Sequence, residues 1–539
     1  GSLAGSGNVT GTSGAPTLTA GQNNTSTTFS GIISDSTGTL ALTKAGSGTM
    51  TLTGANTYDG ATTVSAGTLV AANNSALGTA TGSTTVNAGA TLGLQGGITV
   101  TGELGNLAAA TSPSTASFAN LSGNNTWTGN LSLTGAVAND QVKVDVAGGS
   151  QLTVSGVISE ATNAKVVAKT GSGTLLLTGT NTYNGSTNIA AGTLIAGSNA
   201  ALGSATAGTS VQIGATLGVQ NNVTIASGET FSLYGTAAPP AAPSIKNIQD
   251  NNTLNGNISL IGGVNTGVAI DSNTGNLTLN GAITQAANAN YVQKTGAGTV
   301  TLGGTTANTF SGGFFINDGT VVATKTAGID ATGAAAVNIG DGIGAAASAI
   351  LQLNASNQIN NASSVTIATD GRLDLQANND SIGALTMTGG NVQGTGTLTL
   401  GNNLTFNGVG SSTATISANL DLGTSGTRVI QVGNNGVNGD TDLTISGAIS
   451  GGTASFNKTD LGTLQLTGTT ANTFSGTFQV SDGTVNLNKT AGVNATGTGT
   501  VVIGDNSGAA NTASLRLLAD EQIANTSSVT INSDGKLDL

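Results

Sequence analysis

The residues best able to do chemistry here are acidic. Asp440 and Asp442 close the stretch NNGVNGDTD, and Asp140 and Asp145 flank Lys143 in NDQVKVDV. Two carboxyls facing across a groove at about 5–10 Å are what glycoside hydrolysis needs, one as acid and the other as base or nucleophile. GDTD also offers oxygen ligands for Ca²⁺, but the full ligand set of a calcium loop is absent. All four aspartates read more simply as parts of polar turns. With no Cys and no His, Ser-His-Asp and Cys-His catalysis, disulfides and thiolate metal sites are all excluded. No GxxxxGK[ST] phosphate loop occurs, and with 84 glycines GxGxxG-like strings arise by chance. The expectation is a non-enzyme with no catalytic, cofactor or metal residues, its partner-binding residues left open.

Other candidates return at a fixed spacing. Lys44 opens KAGSGTMTLTGANTYDG and Lys169 opens KTGSGTLLLTGTNTYNG, 125 positions later. Lys294 opens KTGAGTVTLGGTTANTFSG and Lys458 opens KTDLGTLQLTGTTANTFSG. These lysines could form a cationic stripe; the simpler expectation is a set of solvated edge charges that discourage wrong strand pairing. Outward Thr49, Thr51 and Thr53 could form a flat row for ice or glycan, or simply a good β-surface. Asn-x-Ser/Thr sequons follow from the composition. A phrase that returns four times describes a building unit more than an active site.

Composition agrees. Of 539 residues only 7% are charged, against about 25% in ordinary soluble proteins. The net charge of −12 opposes nucleic acid and anionic lipid, which both want clustered Lys and Arg. No run of ~18 apolar residues is long enough to cross a membrane as a helix, and no signal peptide is expected within these residues. The opening GS reads as a cloning scar. The ending SSVTINSDGKLDL repeats SSVTIATDGRLDL of residues 363–375 and stops in mid-unit, so the chain is expected to be a piece of something longer.

A shorter beat positions these residues. TFSG (28–31), TLTG (51–54), TVSG (153–156), LLTG (176–179) and TLNG (278–281) close successive segments, 21 to 25 residues per step. Each segment alternates, with Met50 and Leu52 inward and Thr51 and Thr53 outward. Gly and Asn supply the corners. No 3.6-residue pattern is sustained. The expectation is an all-β, right-handed parallel β-solenoid, stacked at ~4.8 Å per coil into an elongated rod of roughly 110 Å. An antiparallel sandwich would need frequent two-residue hairpins, which the coil spacing does not favour. Asn56/Tyr58, Asn181/Tyr183, Asn308/Phe310 and Asn472/Phe474 are equivalent, and Asn125/Trp127 resembles them. Asn is expected to bond its own turn and the ring to fill the interior. The Tyr-to-Phe exchange implies a hydroxyl that reaches solvent or a replaceable polar group. TSPSTASF (111–118) and TAAPPAAPSIKN (236–247) hold every proline except Pro16 and are expected to be loops pushed out of the wall.

The unit resembles the autotransporter-associated β-strand repeat, or passenger-associated transport repeat. The match runs Gly48 to Gly60, then Thr62 to Val64 and Gly67 to Leu69; the second copy runs Gly173 to Gly185, then Ile189, Gly192 and Leu194. The third and fourth copies insert two residues before Asn308 and Asn472 and keep the tails Gly312–Gly319 and Gly476–Gly483. The resemblance implies a secreted β-helical passenger, displayed on or released from a Gram-negative cell and exported through an outer-membrane β-barrel. One continuous solenoid over 1–539 is expected, with internal repeats at about 31–155, 156–280, 281–446 and 447–539. Its expected role is a structural or adhesive rod, with host-cell, glycan or self-association partners. The alternative is a carbohydrate-active or glycan- or ice-binding β-helix.

Overall fold

The computed structural model describes residues 1–110, 115–237, 239–437 and 439–539. Among the described residues the chain forms short strands and no helix, from Val9–Gly11 to Gly535–Asp538. The strands pair parallel and in register, as in Thr49–Leu52 on Thr68–Ala71 and Gln151–Val154 on Thr174–Leu177. The antiparallel bridge between Ala110 and Gln141 is isolated. The protein is therefore an all-β parallel solenoid, and the sandwich is ruled out.

The chain divides into two compact units, Gly1–Ile261 and Gly262–Leu539. In the first, three parallel faces run from Thr27–Phe29 to Ile258–Ile261, from Thr99–Val100 to Ile245–Asn247, and from Thr17–Ala20 to Ile158–Glu160. In the second, two long faces run from Gly267–Ser272 to Val529–Ile531 and from Asn276–Leu279 to Gly535–Asp538. A shorter face runs from Asp380–Ile382 to Ile449–Ser450.

The alternation read from sequence sets which side chains stack. Met50 and Leu52 are buried while Thr51 is half-buried and Thr53 exposed. In-register pairing then places like on like, so inward rows such as Leu69, Leu92, Phe118 and Val144 lie one above the other. Burial of these rows and continuous backbone pairing hold a stacked fold together.

Coil length varies more than expected. Partners in register lie 18 residues apart between Asp380 and Leu398 and 30 apart between Gly319 and Ala349. The surplus leaves at corners. Between Ile339 and Ala349 the chain turns through Gly340, Gly342 and Gly344, all at positive φ, and exposes Ile343. The two proline-rich segments are only partly loops. Residues 111–114, which include Pro113, and Ala238 lie outside the described residues. Phe118 starts the strand Phe118–Ser122 and is fully buried, and Ile245–Asn247 is a wall strand on Leu217–Val219. An apolar residue next to a polar loop rejoins the stack because its row has a vacant inward position.

Candidate functional site

The four repeated lysines are not solvated edge charges, and they form no surface stripe. Lys44, Lys169, Lys294 and Lys458 are at most 1% exposed. Each stands in an inward apolar row: Lys169 lies between Val144 and Ile189, and Lys294 between Ile270 and Ile316. The local turn explains the burial. Gly46, Gly171, Gly296 and Asp460 take φ of 64–77°, and Gly67, Gly192, Gly319 and Gly483 on the next coil take 65–68°. Left-handed residues at a corner turn carbonyls inward, where a donor must meet them. Lys169 Nζ donates to the carbonyls of Thr170 (2.8 Å), Gly171 (2.8 Å) and Ala191 (3.1 Å). Lys44 and Lys294 repeat that cage at 2.6–3.1 Å, and Lys458 repeats it on Thr459, Asp460 and Asp482. An ammonium has three N–H donors, one for each carbonyl. Burial pulls Lys169 and Lys294 down to about 8 and Lys458 to about 7, against nearby Asp charges that pull upward.

The repeated asparagines bond neighbouring coils and not their own turns. Asn181 Oδ1 accepts from the Ile158 amide on one coil (2.8 Å), and Nδ2 donates to the Ala201 carbonyl (2.6 Å). Asn56, Asn308 and Asn472 make the same two bonds. None of the four has positive φ. Asn125 and Asn252 keep the accepting half, from Ile98 and Val223, and donate to a second buried asparagine, Asn120 or Asn247.

The rings after these asparagines are buried, as expected, but the tyrosine hydroxyls do not reach solvent. Tyr58 bonds Thr62 (2.6 Å) and Tyr183 bonds Thr187 (2.7 Å) inside the coil. Thr62 stacks on Thr84, and Thr187 on Thr209. Thr84 donates to Glu103 (2.8 Å), and Thr209 to Glu229 (2.6 Å). Both glutamates are buried, and burial pushes each up to about 7. In the third and fourth copies the whole column changes together. Phe310, Phe314, Val337 and Ser363 replace Tyr, Thr, Thr and Glu, and so do Phe474, Phe478, Val501 and Ser527. Phe310 meets Phe314 edge-on at 5.8 Å, and Phe474 stacks on Phe478 at 6.4 Å. The partner hydroxyl leaves with the tyrosine hydroxyl, so no ring hydroxyl is stranded, while Ser363 Oγ and Ser527 Oγ at the end of the changed columns are buried without a hydrogen-bond partner.

The acidic candidates have scattered placements. Asp442 is buried and joins two coils, accepting from the amides of Asn435 (2.8 Å) and Thr463 (2.7 Å). Asp440 is exposed in the turn before it, Asp140 is buried, and Asp145 faces outward and accepts from Thr170. No cluster of three metal-ligating side chains exists among the described residues. Thr49, Thr51 and Thr53 do point outward, but the row of Thr28 and Thr51 continues into Val70 and Gly93.

Sequence reasoning missed three further buried lysines and both buried glutamates. Lys165 donates to Val137, Thr162 and Asn163; Lys325 donates to Gly303, and Lys489 to Thr467. The 164-residue return of Lys325 as Lys489 was the available signal. For Glu103 and Glu229 the signal was their near-repeat spacing of 126 in TGELGN and SGETFS.

Residues 42–71, 167–196, 292–323 and 456–487 match the passenger-associated-transport-repeat family, so the resemblance read from the residues holds at all four copies. Over 327 residues, 58% of this chain, the sequence is 30% identical to a protein named adhesin BmaC autotransporter from Brucella suis biovar 1 (strain 1330). The chain aligns with 8% of that relative's length. No solved structure matches the chain.

Proposed function

We propose that this chain is a structural segment of a secreted or surface-displayed passenger, which reaches the outside of a Gram-negative cell through an outer-membrane β-barrel and carries adhesion there. The observation that supports this most directly is the use of the repeated polar residues. Lys, Asn, Tyr, Thr and Glu at the repeat positions satisfy their own or neighbouring coils and leave little for catalysis. We read the chain as a non-enzyme on the same ground, since Asp442, the best-placed acid, already accepts two backbone amides. A relative named as an adhesin supports the adhesive half.

The test is a fusion of the chain between a signal peptide and an outer-membrane translocator in a Gram-negative host. The expected result is antibody labelling and protease sensitivity on intact cells, with increased binding to epithelial cells or to glass. Periplasmic retention would end the passenger reading. Surface display without any gain in binding would end the adhesive one and leave a spacer.

A further inference from the structure

Two carboxyls are buried inside the coils, each bonded by a threonine hydroxyl. Glu103 and Glu229 sit at equivalent places, each two residues before the residue that stacks on Thr84 or Thr209. Each is 4% exposed or less. Each ends a column that begins at a buried tyrosine and crosses three coil layers through two threonines. Within each column, the titratable group facing the carboxyl is the tyrosine, and its negative form would only oppose a carboxylate. The threonine hydroxyl is a single neutral donor, fewer than a buried carboxylate requires. No ammonium or guanidinium contributes to the field on either carboxyl.

The molecule also contains its own control. The equivalent columns at Phe310 and Phe474 are built from Phe, Phe, Val and Ser, and carry no group that titrates near neutrality. The polar column has been replaced there as a whole, so the fold does not need a carboxyl at this position. Where it is kept, it adds a dependence on protons.

We infer that the two Tyr–Thr–Thr–Glu columns are proton-operated locks: with the glutamic acid neutral the stacked coils stay closed, and with it ionised the coils between Tyr58 and Gly105 and between Tyr183 and Phe231 loosen. The direction follows from linkage. A carboxyl held up to about 7 in the folded chain, against 4.5 free, gives stability that is fully present below about 4.5 and lost as pH rises through about 7. This inference rests on the coil geometry and is independent of adhesion.

Amide hydrogen exchange on the whole 539-residue chain at ~pH 5.5 and ~pH 8.5, corrected for the intrinsic rate, tests it. Peptides from 58–105 and 183–231 should lose roughly ten- to a hundredfold in protection at the higher pH, about tenfold per pKa unit. Peptides from 310–353 and 474–529, which exclude the Gln358 and Ile359 amides bonded to Asp380, should not. In Glu103→Gln/Glu229→Gln the difference should vanish. An equal loss in all four regions, or a loss that survives in the double variant, overturns the proposal. Should that variant not fold, ¹³C-carboxyl labelling of the four glutamates in the unaltered chain decides it. Two resonances titrating near neutrality uphold the lock; four titrating as free glutamates overturn it.

Discussion

Tyr183 and Thr187 bond each other inside the coil, and that single contact changes what a substitution should cost. Tyr183→Phe leaves Thr187 Oγ1 with only the Leu202 carbonyl at 3.5 Å. The expected loss is about 1–2 kcal/mol in urea unfolding or in local exchange. Adding Thr187→Val should recover much of it, as the natural Phe310/Phe314 pair implies, and a double-mutant cycle should show coupling of about 1 kcal/mol. Additive effects would show that the hydroxyls do not depend on each other. Tyr183→Ala should cost ~3–5 kcal/mol through lost burial and the cavity left behind. The lysine cages make a second residue-scale case. Lys169→Met keeps most of the apolar stem but leaves three inward carbonyls unmet, at about 1–3 kcal/mol for each that water cannot reach. We expect a loss of about 3 kcal/mol or more, whereas the exposed-charge reading of the same residue implies almost none. A shift below about 0.5 kcal/mol in the urea midpoint analysis would return Lys169 to the surface.

At the scale of the element, the corners that carry the lysine cages are tight turns against the coil beneath. Gly192 has φ +66°, and a Cβ there would lie 2.5 Å from the carbonyls of both Gly171 and Gly173. Gly214 has φ +77° and open space around it. Gly214→Ala should therefore cost only the left-handed strain, about 1–2 kcal/mol. Gly192→Ala must also displace two backbone oxygens and disturb the Lys169 cage, so its cost should be clearly larger in side-by-side unfolding curves. Similar costs would mean that the corner relaxes freely. This is also where legibility in the sequence ended. The strands were readable because alternation is written residue by residue, and Met50 and Leu52 went inward as that pattern requires. The corners were misread because a corner is solved between coils. Lys44 looks exposed when read along the chain, since nothing near it in sequence is acidic. Only stacking brings the Ala66 carbonyl beneath its ammonium. Asn181 likewise has the composition of a turn residue, yet its partners lie 23 and 20 residues away. The Tyr-to-Phe exchange misled for the same reason: the compensating change, Thr187 to Phe314 or Phe478, appears only when whole columns are compared.

For the whole molecule, stability should respond to pH and barely to salt. Among the described residues the ion pairs are Arg516 and Lys536 on Asp538, both exposed at 3.4 Å. Such pairs contribute little and are screened. Raising salt from ~0.05 to ~0.5 M should leave the urea midpoint nearly unchanged. Protons act on the interior instead. Glu103 and Glu229 at about 7, and Asp380 pushed to about 6 mainly by burial, bind protons more tightly folded than unfolded, so stability falls as pH rises from about 4.5 to about 7. The lysines act in the next window. Lys169, Lys294, Lys325 and Lys489 at about 8 lose their proton more readily folded than unfolded, where the ordinary value is 10.5. There the unfolded chain binds more protons, and stability rises with pH between about 8 and about 10. The two windows together give a trough near pH 7–8, where many proteins have their maximum. Urea midpoints at ~pH 5, ~7.5 and ~9.5 at constant salt read it directly. The middle value should be the lowest. A maximum there would show that the lysine cages hold their protons as firmly as water does and that the buried carboxyls ionise without strain.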